Sequence, residues 1–170
     1  MGLLTDMQLD SGALRNRLLS SPNGLSYWDE SVGRRQFAWD TVNNRWQMVY
    51  GDTGWRDVSA SLANSWTGTL LVRRIGYIVY VRATLGGTAA TNNNLWSFPS
   101  GWACLTTPST HLLAGINNAL APIFAQANSG NAAIATPDRT NSIVITGAYS
   151  TGDAWPASLP GSASGTIPFA

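Results

Sequence analysis

Two segments of the chain combine aromatic rings with neutral polar side chains. They are Asn92–Phe98 and Tyr149–Trp155. An aromatic ring can stack on the apolar C–H face of a sugar, while amides, hydroxyls and carboxylates hydrogen-bond its hydroxyl groups. The two segments therefore predict a saccharide-binding surface. The candidate ligand-binding residues are Asn93, Trp96, Tyr149, Thr151, Asp153 and Trp155.

A structural role is the default for each of these residues taken alone. Large aromatic side chains dominate protein cores and interfaces. Trp96, Trp102 and Trp155 can therefore be core or interface residues instead of ligand-binding residues. The polar residues of both segments are also typical of solvated turns. The residue types leave both interpretations open.

Few residues of this chain carry catalytic chemistry. His111 is the only histidine and Cys104 the only cysteine, so a Ser-His-Asp triad is poorly supported and a cysteine-based metal site is excluded. Glycoside hydrolysis usually needs two carboxylates, and after position 57 the chain has only Asp138 and Asp153. We expect no enzymatic activity, no metal and no cofactor. Pairing of these two carboxylates across a subunit interface is the remaining alternative.

The composition favours strands and turns and argues against two classes of partner. Only 11% of residues are charged, against about 25% in typical soluble domains. All ten basic residues are Arg, and the net charge is +1, which predicts no nucleic-acid partner. Neither a long apolar run nor a signal-peptide pattern is present, which predicts no membrane insertion.

Three regions follow one another along the chain. Residues 1–24 form a predicted helical attachment segment, because Leu3–Leu19 carries apolar residues near a spacing of three to four. Residues 25–52 alternate aromatic runs with turns and predict a small meander of short strands. Residues 53–170 form the third and largest region. The helix is too short to be stable alone, so we expect it to pack on identical helices of neighbouring subunits or to dock on another protein.

Residues 53–170 are predicted to be all-β and antiparallel, either a β-sandwich or a barrel. Turn-rich intervals separate short apolar runs at roughly 8–12-residue spacing, which is typical of this class. Pro122 predicts that its strand lies at a sheet edge. Both faces of the run at 77–85 are largely apolar, which predicts cover on both sides. The expected strands are 69–74, 77–85, 102–106, 110–114, 120–126, 131–136 and 142–149.

An ordered set of motifs resembles one known family. The motifs are Gly54–Val58, Trp66–Thr69, Val72–Tyr80, Ile145–Thr151 and Trp155–Gly161. Together they resemble the C-terminal head domain of tail fibres and minor tail proteins of tailed bacteriophages, especially phages of GC-rich actinobacteria. The resemblance covers residues 53–170 as the β-sandwich head domain. Upstream, Trp39–Thr41 and Asn44–Trp46 resemble the short β collars that precede such heads, which makes residues 25–52 a collar.

The resemblance implies a receptor-binding protein. Such heads are β-sandwich homotrimers at the distal end of a fibre or tail tip, where they attach the virion to a saccharide or another polymer on the host cell surface. The implied location is the phage tail, outside the cell after host lysis, with other tail proteins docked on the N-terminal segment. The family has no fixed binding residues, so none is transferred. The alternative is a structural tail-tip, capping or decoration protein without receptor binding of its own.

Overall fold

The computed structural model describes residues 26–87, 90–107, 110–117, 122–129, 133–136 and 142–165. These residues form antiparallel β-strands and one short 3₁₀ turn, so the predicted all-β class is confirmed for this part of the chain. The predicted helix at Leu3–Leu19 lies outside the described residues. Within the described ranges, no helix is long and apolar enough to span a membrane. The chain divides into two compact units, residues 1–51 and 52–170.

The strands follow one another with short connections. They are β1 (Ser26–Asp29), β2 (Arg34–Asp40), β3 (Arg45–Asp52), β4 (Arg56–Asp57), β5 (Thr67–Ile75), β6 (Ile78–Gly86), β7 (Asn94–Ser97), β8 (Thr110–Asn117), β9 (Pro122–Asn128), β10 (Ala133–Ala135), β11 (Ser142–Ser150) and β12 (Ser162–Ala163).

The first unit carries a meander of β1, β2 and β3. The Arg35 guanidinium donates to the Asp29 carboxylate at 2.7 Å and ties β2 to β1. In the turn before β3, the Asp40 carboxylate accepts the backbone N–H groups of Val42 and Asn43. The side-chain and backbone hydrogen bonds from Asn43 lower the pKa of Asp40 from its ordinary value.

Aromatic side chains join the strands of this meander. The rings of Tyr27 and Phe37 stack with centroids 5.0 Å apart, and Trp46 meets Tyr27 edge-on at 4.9 Å. Trp39 also meets Trp46 edge-on, at 5.5 Å. All four side chains stay only half-buried. The meander therefore holds a cluster of aromatic residues that it does not cover fully.

In the second unit one antiparallel sheet curls around a single core. The strand order is β12–β4–β5–β6–β11–β8–β9–β10–β7. The β5–β6 hairpin closes at Ile75 and Ile78, and β11 continues the sheet beside β6. At the other sheet edge, the Leu95 carbonyl of β7 accepts a hydrogen bond from Ala63, in the segment leading into β5. The curl brings the first and last strands of the order around the same core.

The core follows the two-residue period of the strands. In β6 the alternate residues Val79, Val81, Ala83 and Leu85 are buried. Burying a side chain such as Val or Leu stabilises the fold by roughly 1.5–3 kcal/mol. The intervening Ile78 and Tyr80 are 36% and 40% exposed. Among the described residues no layer lies over the outer face, so within this part of the chain the prediction that both faces of the strand are covered is wrong.

The structure differs from the predicted strands in two places. Residues 102–106 do not form a strand, because the Trp102 N–H turns back to the Pro99 carbonyl. From the same segment, Leu105 donates a single backbone bond to Ser150. Conversely, β7 lies in an Asn-rich stretch that indicated a turn, and it becomes a strand by pairing with β10. At β7, tertiary pairing outweighs local propensity.

The prediction that Pro122 marks an edge strand is also wrong. Its strand, β9, lies between β8 and β10. Pro122 is the first residue of β9 and lies opposite Ile116 of β8, whereas the β10 pairing involves only Gln126, Ala127 and Asn128. A proline at the first strand position, beyond the reach of β10, removes no hydrogen bond to that strand.

Candidate functional site

Three loops meet at one end of the curled sheet. The first is the β5–β6 turn, the second is the segment between β7 and β8, and the third follows β11. The Thr151 N–H donates to the Tyr77 carbonyl at 2.8 Å, and Leu105 donates to Ser150 at 2.9 Å. Four of the predicted site residues lie together here: Tyr149, Thr151, Asp153 and Trp155.

Arg74 organises this end of the sheet. It follows Leu70 and Val72 on the inward face of β5 and is only 1% exposed. A buried guanidinium needs acceptors for its N–H groups, and the neighbouring loops supply backbone carbonyls. These acceptors are the carbonyls of Gly76, Gly101, Asp153 and Ala154. Burial lowers the pKa of Arg74 and the Asp153 carboxylate opposes that effect, so the group stays charged near neutral pH.

Asp153 ties two of the loops together. Its carboxylate oxygen Oδ2 accepts the N–H groups of Gly101 and Ala103, each at 3.0 Å. Its own N–H donates to the hydroxyl of Thr151 at 3.1 Å. Thr151 is 2% exposed. The structure thus gives Asp153 and Thr151 positioning contacts within the loops, and of the two only Asp153 reaches solvent in part.

Tyr149 and Trp96 lie in the hydrophobic core. Each is 2% exposed. The Tyr149 hydroxyl donates to the Trp102 carbonyl at 2.7 Å, and its ring contacts Phe98 with centroids 5.4 Å apart. The Trp96 ring meets the Trp102 ring edge-on at 6.3 Å. Since neither ring faces solvent, neither is placed to stack on a sugar without opening the core.

The exposed part of this end includes Tyr77 of the β5–β6 turn and the loop between β11 and β12, which carries Trp155. Tyr77 is 69% exposed. Trp155 is partly exposed, and the central guanidinium carbon of Arg74 lies 5.1 Å from its ring centroid. In the same loop as Trp155, Gly152 is exposed and Asp153 is half-buried. We call Tyr77, Gly152, Asp153 and Trp155 the Tyr77–Trp155 surface.

This surface combines aromatic rings with one carboxylate. No family model, no curated protein and no solved structure matches this chain. The chemistry of the surface must therefore be derived from its own side chains. Tyr77 offers a ring and a hydroxyl, Trp155 a ring, and Asp153 a carboxylate whose Oδ2 already holds two backbone N–H groups. Such groups can bind a polyhydroxylated ligand by stacking and hydrogen bonding.

Asn93 lies at the opposite end of the sheet. It precedes β7, and its carbonyl accepts the Thr136 N–H at 3.0 Å. The neighbouring Asn92 carbonyl accepts the indole N–H of Trp66, just before β5 begins. The side chain of Asn93 is exposed. The structure does not bring it to Asp153, so the two predicted segments form two separate surfaces, and ligand binding by Asn93 stays a prediction.

The prediction of site residues missed Tyr77 and Arg74. Tyr77 and Gly76 form the two-residue turn between β5 and β6. A large ring in this turn has no neighbouring strand to cover it. Arg74 was signalled by its position, since it continues the inward alternation of Leu70 and Val72. A charged residue at an inward strand position requires hydrogen-bond acceptors around it. Here the acceptors are backbone carbonyls of the loops that form the site.

The other reactive side chains, His111 and Cys104, lie near the buried Tyr149. The His111 ring is half-buried and lies 6.3 Å from the Tyr149 ring. Cys104 is 4% exposed, and burial raises the pKa of its thiol. Among the residues that the structure describes, no three His, Cys, Asp or Glu side chains are grouped to hold a metal ion.

Replacing Tyr149 by Phe tests the hydrogen bond in the core. We expect a loss of about 1–2 kcal/mol in the free energy of unfolding, because the Trp102 carbonyl loses its buried donor. Burial raises the pKa of Tyr149 well above its ordinary value. The folded protein therefore keeps this proton above about pH 10, where the unfolded chain releases it, so stability present below that pH falls as the pH rises.

Urea unfolding between about pH 8 and 11 measures this effect, since tyrosine ordinarily titrates in that range. Tyr149→Phe should flatten the alkaline loss of stability, whereas the control Tyr77→Phe, at an exposed ring, should keep the wild-type profile. An unchanged alkaline profile in Tyr149→Phe would show that another group causes the loss.

Proposed function

We propose that this chain is the receptor-binding protein of a tailed-bacteriophage tail fibre or tail tip, and that it attaches the virion to a saccharide on the host cell surface. The observation that carries the proposal is the Tyr77–Trp155 surface. There an exposed ring and a partly exposed ring lie on loops fixed by Arg74 and Asp153. The ordered motifs of residues 53–170 supply the link to phage tail proteins.

Rigid loops support a binding role. Arg74 joins all three loops through backbone carbonyls, and Asp153 adds two further backbone bonds. A surface that is ordered before the ligand arrives loses less conformational entropy on binding. The surface also lacks a nucleophile paired with a base, so we propose binding without catalysis.

The proposed assembly is a homotrimer of sandwich-like heads. The curled sheet would place its two halves face to face as the two layers of each head. The half-buried aromatic residues of the meander, among them Trp39 and Trp46, would gain cover from neighbouring copies. Three copies of a weak saccharide site on one rigid body would increase avidity without any new contact. We propose that residues 1–24 dock this trimer on other tail proteins.

A structural role at the tail tip is the second candidate function. It is favoured by the apolar outer face of the sheet, where Tyr80, Leu112 and Val144 are 40%, 70% and 45% exposed. An exposed apolar face of this kind often marks a protein–protein contact. In that case the chain would cap or decorate the tail, and purified protein would not bind host cells.

Replacing Tyr77 by Ala tests the receptor-binding proposal. We expect about a tenfold weaker binding to host cell-wall polysaccharide, because one stacking aromatic contributes on the order of 1–1.5 kcal/mol. The variant should unfold like the wild type, since the side chain is mostly exposed. Binding is measured by pull-down on purified cell walls and by titration calorimetry with the released glycan.

Val42→Ala is the matched control, because Val42 is 90% exposed in the other unit and distant in sequence from the three loops. Its binding should equal that of the wild type. Failure of the wild-type protein to bind any cell wall of a susceptible host would overturn receptor binding and leave the structural role.

A further inference from the structure

A second cationic site lies on the outer face of the sheet, away from the Arg74 loops. Arg82 is exposed near the middle of β6, and its guanidinium carbon lies 4.8 Å from the centroid of the Trp55 ring. Trp55 is partly buried, and its carbonyl accepts the Ser164 N–H at 2.9 Å. The backbone of Trp55 is thus held in place, and its indole offers a π face to the guanidinium.

Arg82 has no anionic partner among the residues that the structure describes. The nearby cation of β5, Arg73, forms an ion pair with Asp52. Asp57 lies two strands away in the same row of the sheet, and its Oδ1 accepts the N–H and hydroxyl groups of Ser59 rather than a bond from Arg82. Arg82 forms neither a hydrogen bond nor an ion pair with this part of the chain. Its planar set of N–H donors remains available to an external oxyanion.

The strand register surrounds Arg82 with groups suited to a sugar. On β6, Tyr80 and Thr84 lie two residues away on the same face, and both are exposed. Thr146 of β11 lies directly opposite Arg82 and is also exposed. The face thus combines one aromatic ring, two hydroxyls and one cation. An acidic saccharide offers the complementary apolar face, hydroxyl rim and negative charge.

We propose that Arg82, supported by Trp55, binds the carboxylate or phosphate of an acidic saccharide on the outer face of β6 and β11. The guanidinium donates two N–H groups to two oxygens of the anion, Tyr80 stacks on the adjoining sugar ring, and the two threonines bond its hydroxyls. The proposed receptor-binding function is extended in this way to a ligand class, charged cell-surface polysaccharide, and to a site separate from the Tyr77–Trp155 surface.

The test compares three probes on the full-length protein by titration calorimetry. They are an oligogalacturonate, which carries carboxylates, a glycerol-phosphate oligomer, which carries phosphates, and a neutral oligogalactan. We expect the wild type to bind at least one acidic probe more tightly than the neutral one, and more weakly as salt rises. Arg82→Gln should weaken that binding about tenfold or more, since a charge-assisted pair is lost. Arg82→Lys should restore part of it.

Arg45→Gln is the control, because it removes the same charge from an exposed position in the other unit. It should leave binding of the acidic probe unchanged. Equal binding of Arg82→Gln and wild type, or equal affinity for the acidic and neutral probes, would overturn the site. If Tyr77→Ala still weakens cell-wall binding in that case, the receptor-binding proposal survives. If Arg82→Gln loses binding to the acidic probe while Tyr77→Ala binds cell walls like the wild type, the outer-face site is supported and the Tyr77–Trp155 surface is not.

Discussion

Arg74→Met is expected to destabilise the second unit by about 3 kcal/mol or more. The substitution keeps a long side chain but removes the donors to four backbone carbonyls, so that buried acceptors lose their partners. The loss should appear as a lower midpoint in urea and a lower Tm. It should also weaken cell-wall binding, because the loops that present Tyr77 and Trp155 are no longer joined.

The same substitution at Arg82 gives a matched control. Arg82 is exposed on the neighbouring strand, and its guanidinium lies over the Trp55 ring without a hydrogen bond or ion pair to the described residues, so Arg82→Met should change stability by less than about 1 kcal/mol. Arg74→Lys should fall between the two, since it retains the charge with fewer donors. Equal stability of the Arg74 and Arg82 variants would show that the loops hold together without the buried guanidinium.

Gly68→Ala is expected to cost about 3–4 kcal/mol, combining backbone strain with steric overlap. Gly68 lies in β5 opposite Leu85 and has φ of +113°, a conformation that L side chains rarely adopt. A Cβ atom there would overlap the Thr84 carbonyl oxygen of β6. Either the central hairpin shifts or the strands separate at that end, and both changes disturb the core.

Gly76→Ala separates strain from overlap. Gly76 also has a positive φ, +56°, but a Cβ atom there would meet nothing within 4 Å. We expect a cost of about 1 kcal/mol from backbone strain alone. Thermal and urea unfolding of the two variants measure the difference. Similar losses at both glycines would mean that the close approach of β5 to β6 at Gly68 relaxes at little cost.

The central strands were predictable because two apolar runs flank a turn at Gly76, which gave the hairpin within a few residues. The buried face was not predictable in the same way, because the outward Tyr80 and the inward Val79 and Val81 are all apolar. β7 was missed because its stability comes from pairing with β10, not from its own residues. No local pattern reveals a partner that lies far along the chain.

The site was only partly predictable for a related reason. The residue types of the segment Tyr149–Trp155 predicted that Asp153 and Trp155 belong to one surface, and both lie in the loop after β11 in the structure. Whether an aromatic residue is buried depends on the layers that cover it, so Tyr149 and the exposed Tyr77 look alike in sequence. The sheet topology also sends Asn93 to the opposite end, which residue types alone do not encode.

The bonds of Arg74 also constrain when the site forms during synthesis. Its guanidinium joins carbonyls 27, 79 and 80 residues further along the chain. Because a ribosome makes the chain from the N-terminus, β5 and β6 emerge long before the last acceptors exist. Until residue 154 has left the ribosome, this charged side chain has no complete set of partners in the fold. Closing so long a loop favours late, cooperative completion of the second unit, with the proposed binding loops among the last parts to become ordered.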